Sequence, residues 1–176
     1  MKVVAFAASN SSTSINKILA SYAAQKISES NFETLDLNEY ELPLYSPERE
    51  KEYGQPDKAL GFLAKMKEAD FIVLSLAEHN GLYSAAFKNL FDWCSRIDRN
   101  IFQSTKMLLM ATSPGERGGI TVLDFAKNHL ARFGTEIVAT FSLGNFYDHY
   151  DKDGETFKKT EKMQALDQLI ATLETN

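Results

Sequence analysis

Cysteine is nearly absent: Cys94 is the sole example among 176 residues. One thiol cannot close an internal disulfide or build a multi-cysteine metal site. Its place in a helical pattern suits a small buried apolar residue. Long apolar runs are missing as well, and none approaches the roughly 20 residues of a membrane helix. Residues 1–8 are too short for a signal peptide and carry no cleavage region, so a cytoplasmic protein is expected. Basic clusters are lacking too. A net charge of −5 argues against a nucleic-acid partner, because phosphate backbones need gathered Lys and Arg. There is no G-x-x-x-x-G-K-[ST] loop for a triphosphate with magnesium. There is no G-x-G-x-x-G either, which disfavours a dinucleotide pyrophosphate pressed against bare backbone. Asp148, Asp151, Asp153 and Gly154 hint at a calcium loop. With Gly154 in sixth place, however, the first and twelfth ligands fall on His149 and Thr160, so no metal site is expected.

What is present alternates regularly. Val3–Ala8, Phe71–Ala77, Met107–Thr112 and Ile137–Phe141 are nearly continuous in apolar residues, as in parallel strands covered on both faces. Phe32–Leu37 has a mixed pattern that suits an exposed edge strand. Amphipathic helical segments fall at about 15–29, 57–68, 84–98, 119–133 and 157–174. Strict βα alternation predicts an α/β fold: a flavodoxin-like, doubly wound five-stranded parallel sheet of order 2-1-3-4-5, with helices on both faces. No repeat or linker divides residues 1–176, so a single domain is expected. Asn38–Pro56 reads as a long irregular loop, functional or lid-like. Gly144–Thr156 reads as a polar turn.

Ligands of such sheets bind beyond the carboxyl ends of the strands, and three turns stand there. The first, Ser9-Asn10-Ser11-Ser12-Thr13-Ser14-Ile15-Asn16, opens a helix. Free amides and the positive end of the helix dipole there favour an anion. With no Lys or Arg before Lys17, the loop suits a monophosphate held by neutral donors. The same residues also suit an ordinary Ser/Thr-rich N-cap. The second turn contains Glu78, His79, Asn80 and Gly81, which present backbone polar groups and an amide to a ring edge. The third contains Ser113, Gly115, Arg117 and Gly118, and its glycines allow close approach of a flat group. A phosphate site beside two ring-facing turns indicates flavin mononucleotide. His79 reads equally as a flavin neighbour or a polar turn residue. Arg117, His129 and His149 read as solvated. The helix at 84–98 carries Phe87, Leu90, Phe91, Cys94 and Ile97 at core spacing. Ala86 and Trp93 lie at other angles and are expected to meet either a second subunit or the 38–56 loop.

These residues resemble the NADPH-dependent FMN reductases, a family with chromate, azo-dye and quinone reductases among its members. The first loop is similar to the family's G-S-x-R-x-x-S-x-N. Ala77 to Trp93 resembles P-E-Y-N-G-S-x-P-x-x-L-K-N-x-x-D-W. Ser113 to Gly119 matches S-P-G-x-x-G-G, and Leu42 to Tyr45 matches an L-P-L-Y segment. Ser11 stands where the family usually has arginine, His79 where it has tyrosine, and Leu82 where it has serine. The resemblance implies FMN as cofactor, held by Ser9, Ser11, Ser14, Ile15, Asn16, Glu78, His79, Asn80, Gly81, Ser113, Gly115 and Gly118. It also implies NADPH or NADH as reductant. Hydride would pass through the flavin to a small-molecule electron acceptor: a quinone, an azo compound, a metal ion or free flavin. No catalytic side chain is implied, since the cofactor performs the chemistry. The resemblance further implies a homodimer or tetramer paired near the helix at 84–98. The competing reading is a flavodoxin-like electron carrier without a nicotinamide site.

Overall fold

The computed structural model describes residues 1–173. Five parallel strands form the central sheet: β1 (Val3–Ala8), β2 (Phe32–Leu35), β3 (Phe71–Leu76), β6 (Thr105–Thr112) and β7 (Thr135–Leu143). Their order is β2-β1-β3-β6-β7, the flavodoxin-like arrangement. A two-stranded hairpin, β4 (Glu78–His79) with β5 (Leu82–Tyr83), follows β3. Helices α1 (Ile15–Ile27), α3 (Asp57–Glu68), α4 (Ala85–Ile97), α5 (Ile120–Leu130) and α7 (Glu161–Leu173) cover the sheet. The last was expected to reach residue 174, which lies outside the described residues.

The apolar runs sort their side chains by the period of two that a pleated strand imposes. Val4, Phe6 and Ala8 enter one core with Ile72, Leu74, Leu76, Met107, Leu109 and Ala111, closed by α3, α4 and α5. Val3, Ala5, Phe71, Val73, Leu108 and Met110 enter the other, closed by α1 and α7. Each fully buried large side chain contributes about 1.5–3 kcal/mol, so both faces of β1, β3 and β6 hold the sheet rigid under the site. The edges behave differently. β2 is half-exposed, as its mixed pattern foretold. β7 was read as buried but is half-buried along most of its length, because it forms the opposite edge and bonds only to β6.

Two segments read as irregular are structured. Within 38–56 lie a 3₁₀ turn at Leu37–Tyr40 and helix α2, Pro47–Tyr53. Ser46 caps α2 by accepting from the Arg49 amide, and proline opens its first turn. This start signal was legible in the sequence. The helix has no buried residue, so hydrophobic periodicity gave no trace of it. Within 144–156 lie α6 (Phe146–His149) and a second hairpin, β8 (Tyr150–Asp151) with β9 (Thr156–Phe157).

The 38–56 segment also settles where Trp93 goes. Trp93 is 1% exposed. Its Nε1 donates to the Pro43 carbonyl at 2.8 Å, and Tyr45 packs edge-on to it at 5.2 Å. One helical turn earlier, Asn89 donates to the Leu42 and Pro43 carbonyls and accepts from the Tyr45 amide. The apolar surplus of α4 is therefore covered by the chain's own loop. Trp93 is not available to a second subunit.

Candidate cofactor cleft

The ends of β1, β3 and β6 open into a cleft of about 300 Å³. Its first wall is the serine loop. Ser9 Oγ accepts from the Ser11 amide at 3.2 Å. The Ser11 carbonyl accepts from the Ser14 amide at 3.2 Å, and Ser14 Oγ accepts from Lys17 N at 3.2 Å. These bonds set the loop before a ligand arrives. The Ile15 and Asn16 amides stand in the first turn of α1, where they have no acceptor within the helix. Lys17 does not serve the cleft, because its ammonium pairs with Asp36 at 2.6 Å. That contact, with help from the Asn38 amide, holds the Asp36 carboxyl below its ordinary range. Positive potential at this wall comes from backbone amides and the helix dipole.

Asn16 lines the cleft but commits its amide to the scaffold. Its Oδ1 accepts from Ser75 Oγ at 2.7 Å and from Thr112 N at 3.0 Å. Its Nδ2 donates to Thr112 O at 3.1 Å. One side chain thus ties α1 to β3 and β6 at the level of the cleft floor.

The second wall is the hairpin. Asn80 and Gly81 have φ of 53° and 82°, the paired positive values that a two-residue hairpin turn favours and that Asn-Gly supplies at little cost. Glu78 and His79 line the cleft. The Glu78 carboxylate accepts from the Val122 amide at 3.0 Å, so its charge is spent capping α5. Asn80 and Gly81 sit at the hairpin tip, outside this lining. Asn80 instead borders an adjoining aromatic hollow with Leu82, Phe125 and His129.

The third wall is Ser113 with Pro114. Gly115 has open space where a Cβ would stand, which suits the close approach of a flat group. Gly118 is buried, and its φ is +59°. A Cβ there would lie 2.4 Å from Ser142 Oγ and 2.7 Å from Gly144 N. The close approach at Gly118 is therefore made to the chain's own β7 end. The loop is anchored there by bonds from Asn145 N to the Gly115 carbonyl and from Phe146 N to the Ser113 carbonyl.

Eight of the twelve expected residues line the cleft: Ser9, Ser11, Ser14, Ile15, Asn16, Glu78, His79 and Ser113. Asn80, Gly81, Gly115 and Gly118 build the turns beside it. Tyr147 was missed. It reaches the cleft from α6, which itself escaped notice, and is 55% exposed.

Other candidate groups fall elsewhere. Burial pushes the Cys94 thiol up to about 12, which leaves it protonated at neutral pH. His129 was read as solvated but is half-buried. It stacks on Phe125 at 5.1 Å and meets the Tyr83 hydroxyl through Nδ1 at 3.1 Å. Burial first, then Lys88 and Arg132, lower its pKa. His149 is likewise half-buried, with Nδ1 against Thr160 Oγ1 at 2.8 Å. Among the described residues no group of three or more His, Cys, Asp and Glu gathers around a common point, and no helix is long and apolar enough to cross a membrane.

The donor set fits a flavin monophosphate: uncommitted first-turn amides, several hydroxyls, a hairpin backbone edge and an open glycine. Residues 1–148 match the NADPH-dependent FMN reductase family, and the chain belongs to it. It is accordingly an oxidoreductase working with FMN and a reduced nicotinamide nucleotide. An uncharacterized protein of Mycoplasma pneumoniae is 26% identical over 147 residues, covering 81% of this chain and 86% of that protein. The NADPH azoreductase of Bacillus sp. strain OY1-2 is 32% identical over 115 residues, covering 65% of this chain and 60% of the azoreductase. Among solved structures, FerB, a flavoenzyme NAD(P)H:(acceptor) oxidoreductase of Paracoccus denitrificans, superposes with a TM-score of 0.75. That superposition covers 99% of this chain and 96% of FerB at 23% identity, a likeness of fold.

Proposed function

We propose that this chain takes hydride from NAD(P)H and delivers the electrons, through bound FMN, to a small acceptor such as a quinone, an azo compound, a metal ion or free flavin. The observation that carries this reading is the meeting of the serine loop, the hairpin and the Ser113–Gly115 turn in one cleft. FMN supplies the redox chemistry when bound, accepting hydride and passing electrons on. The protein's part is to hold and orient. The Ile15 and Asn16 amides and the Ser9, Ser11 and Ser14 hydroxyls hold the phosphate. The Glu78–Gly81 backbone and the Ser113–Gly115 turn flank the ring, with His79 and Tyr147 at its rim. No side chain is assigned a proton-transfer role. The reading places the protein in the cytoplasm as a homodimer, paired through Leu82 and Phe125, exposed apolar side chains of the hollow that adjoins the cleft. Light scattering at micromolar concentration tests the pairing, and a strictly monomeric protein contradicts it.

The purified protein should be yellow or become so with FMN. Anaerobic NADPH or NADH should bleach it, and a quinone should restore the colour with ping-pong kinetics. A protein that stays colourless at millimolar FMN refutes the cofactor site. Reduction by dithionite but by neither nicotinamide nucleotide makes it an electron carrier instead.

The serine loop gives a finer test. Ser14→Ala removes the α1 cap, at about 1 kcal/mol of stability, and a donor to the phosphate, at about 1–2 kcal/mol of FMN affinity. Ser11→Arg adds a cation beside the helix N-terminus and should tighten FMN. Fluorescence titration checks both, and unchanged affinity in the two variants would place the phosphate elsewhere.

A further inference from the structure

A second cavity, of about 540 Å³, adjoins the serine loop between α1 and the β8–β9 hairpin. Its volume falls within the ~300–1,000 Å³ of small-molecule sites. One stripe of α1 and its cap forms the floor: Ser14, Lys17, Ile18, Ser21, Tyr22 and Gln25. Steps of three and four keep these side chains on one helix face. Tyr150, Glu155 and Phe157 stand opposite on the hairpin. The two cavities meet at the serine loop, because Thr13 and Ser14 line both this one and the cofactor cleft. Polar groups along the floor and hairpin remain unspent. Among the described residues the side chains of Ser12, Gln25, Tyr150 and Glu155 form no hydrogen bond. Lys17 gives one N–H to Asp36, which leaves the rest of the three that an ammonium carries. Aromatic faces are open as well. Tyr22, Tyr150 and Phe157 are half-buried, with ring centroids 4.8 Å apart for Tyr22 and Phe157 and 5.2 Å for Tyr150 and Phe157.

We infer that this cavity seats the adenosine half of an adenylated flavin, so that the chain takes FAD as well as FMN. The inference rests on the reading that puts the flavin phosphate at the serine loop. A pyrophosphate centred on Thr13 and Ser14 keeps its flavin end in the cleft and sends its other phosphate past the Ser12 hydroxyl and the Lys17 ammonium. These donors are side chains, so the glycine-rich backbone of a dinucleotide loop is not required. The Glu155 carboxylate suits the ribose hydroxyls, as acidic residues do in dinucleotide sites. Adenine presents a flat face to the Tyr22, Tyr150 and Phe157 rings. The Gln25 amide matches a donor and an acceptor on the adenine edge. The length also fits. Ser14 to Gln25 spans about 16 Å along the helix, and helical side chains lean toward the N-terminus. That lean brings the Gln25 amide within the span of an extended adenosine diphosphate.

Titration calorimetry of the purified, flavin-free protein with FMN, FAD and ADP tests this. FAD should bind at least as tightly as FMN, and ADP should compete with FAD. Gln25→Ala and Glu155→Ala should each weaken FAD about threefold to tenfold. Both residues are exposed and outside the cofactor cleft, so the fold should hold and FMN affinity should stay within about twofold of wild type. FAD affinity untouched by both changes, an equal loss for FMN and FAD, or no ADP binding at millimolar concentration overturns the assignment. The two readings fail separately. Ser14→Ala without effect on FMN, with FAD still weakened by Gln25→Ala, would sink the serine-loop placement and keep the adenosine site. FMN weakened by Ser14→Ala, with FAD indifferent to the changes at Gln25 and Glu155, would do the reverse.

Discussion

Gly118→Val should cost about 3–5 kcal/mol of folding stability and lower the melting temperature by about 10 °C or more. Two costs combine. The backbone at position 118 has φ +59°, a region that a β-branched residue occupies only under strain. The first added carbon would also meet Ser142 Oγ at 2.4 Å, Gly144 N at 2.7 Å and the Leu143 carbonyl carbon at 2.8 Å. Backbone there cannot yield without pulling the end of β7 from the 113–119 loop. The Ser142 hydroxyl donates to the Gly118 carbonyl at 3.0 Å across the same junction. Flavin affinity should fall with stability, because Ser113 and Gly115 share that loop. Gly115→Ala is the control. It meets nothing within 4 Å and should melt within about 0.5 kcal/mol of wild type. Differential scanning calorimetry of the pair decides the matter. A Gly118→Val protein that melts normally yet turns over poorly would show that the position faces the ring and not β7.

Asn16→Leu should have an effect of similar size for a different reason. The leucine keeps the helix and roughly the volume but strands Ser75 Oγ and both backbone groups of Thr112, all buried beneath the cleft. Each orphaned polar group costs about 1–3 kcal/mol, so with three of them a loss of about 3 kcal/mol or more is expected. No buried side-chain polar atom among the described residues lacks a partner in the native chain. Ser75→Ala removes one donor and leaves Asn16 Oδ1 its bond from Thr112, so it should cost only about 1 kcal/mol. Chemical denaturation should return this order, and flavin retention should follow it because α1 is tied to β6 through Asn16. Equal stability of Asn16→Leu and wild type would mean that water or rearranged side chains serve these groups.

The sheet was legible in the sequence because β1, β3 and β6 are buried on both faces, and two-sided burial writes a continuous apolar run. The serine loop and the Asn-Gly turn were legible because their signals are local: an N-cap, and a pair of residues tolerant of positive φ. Helix α2 left no such mark. Its capping signal stands at Ser46 and Pro47, but a helix with no buried face has no apolar period. Trp93 is the instructive case. Its position on α4 shows only that it faces away from the main stripe. Whether a partner or the chain's own loop covers it depends on where Leu42–Tyr45 returns, a contact made across some 50 positions.

Residue chemistry by itself therefore determined the βα order, the capped serine loop and the family likeness, since each depends on neighbours within a few residues. Tertiary structure decided which donors stay available. Asn16, Glu78 and Gly118 all read as ligand groups, yet Asn16 spends its amide on β3 and β6, Glu78 caps α5, and Gly118 makes room for β7. Tyr147, from a helix the sequence did not reveal, stands at the rim instead. The reason is physical. A buried polar group or a missing side chain takes the nearest partner the fold presents, and that partner lies far away in the chain.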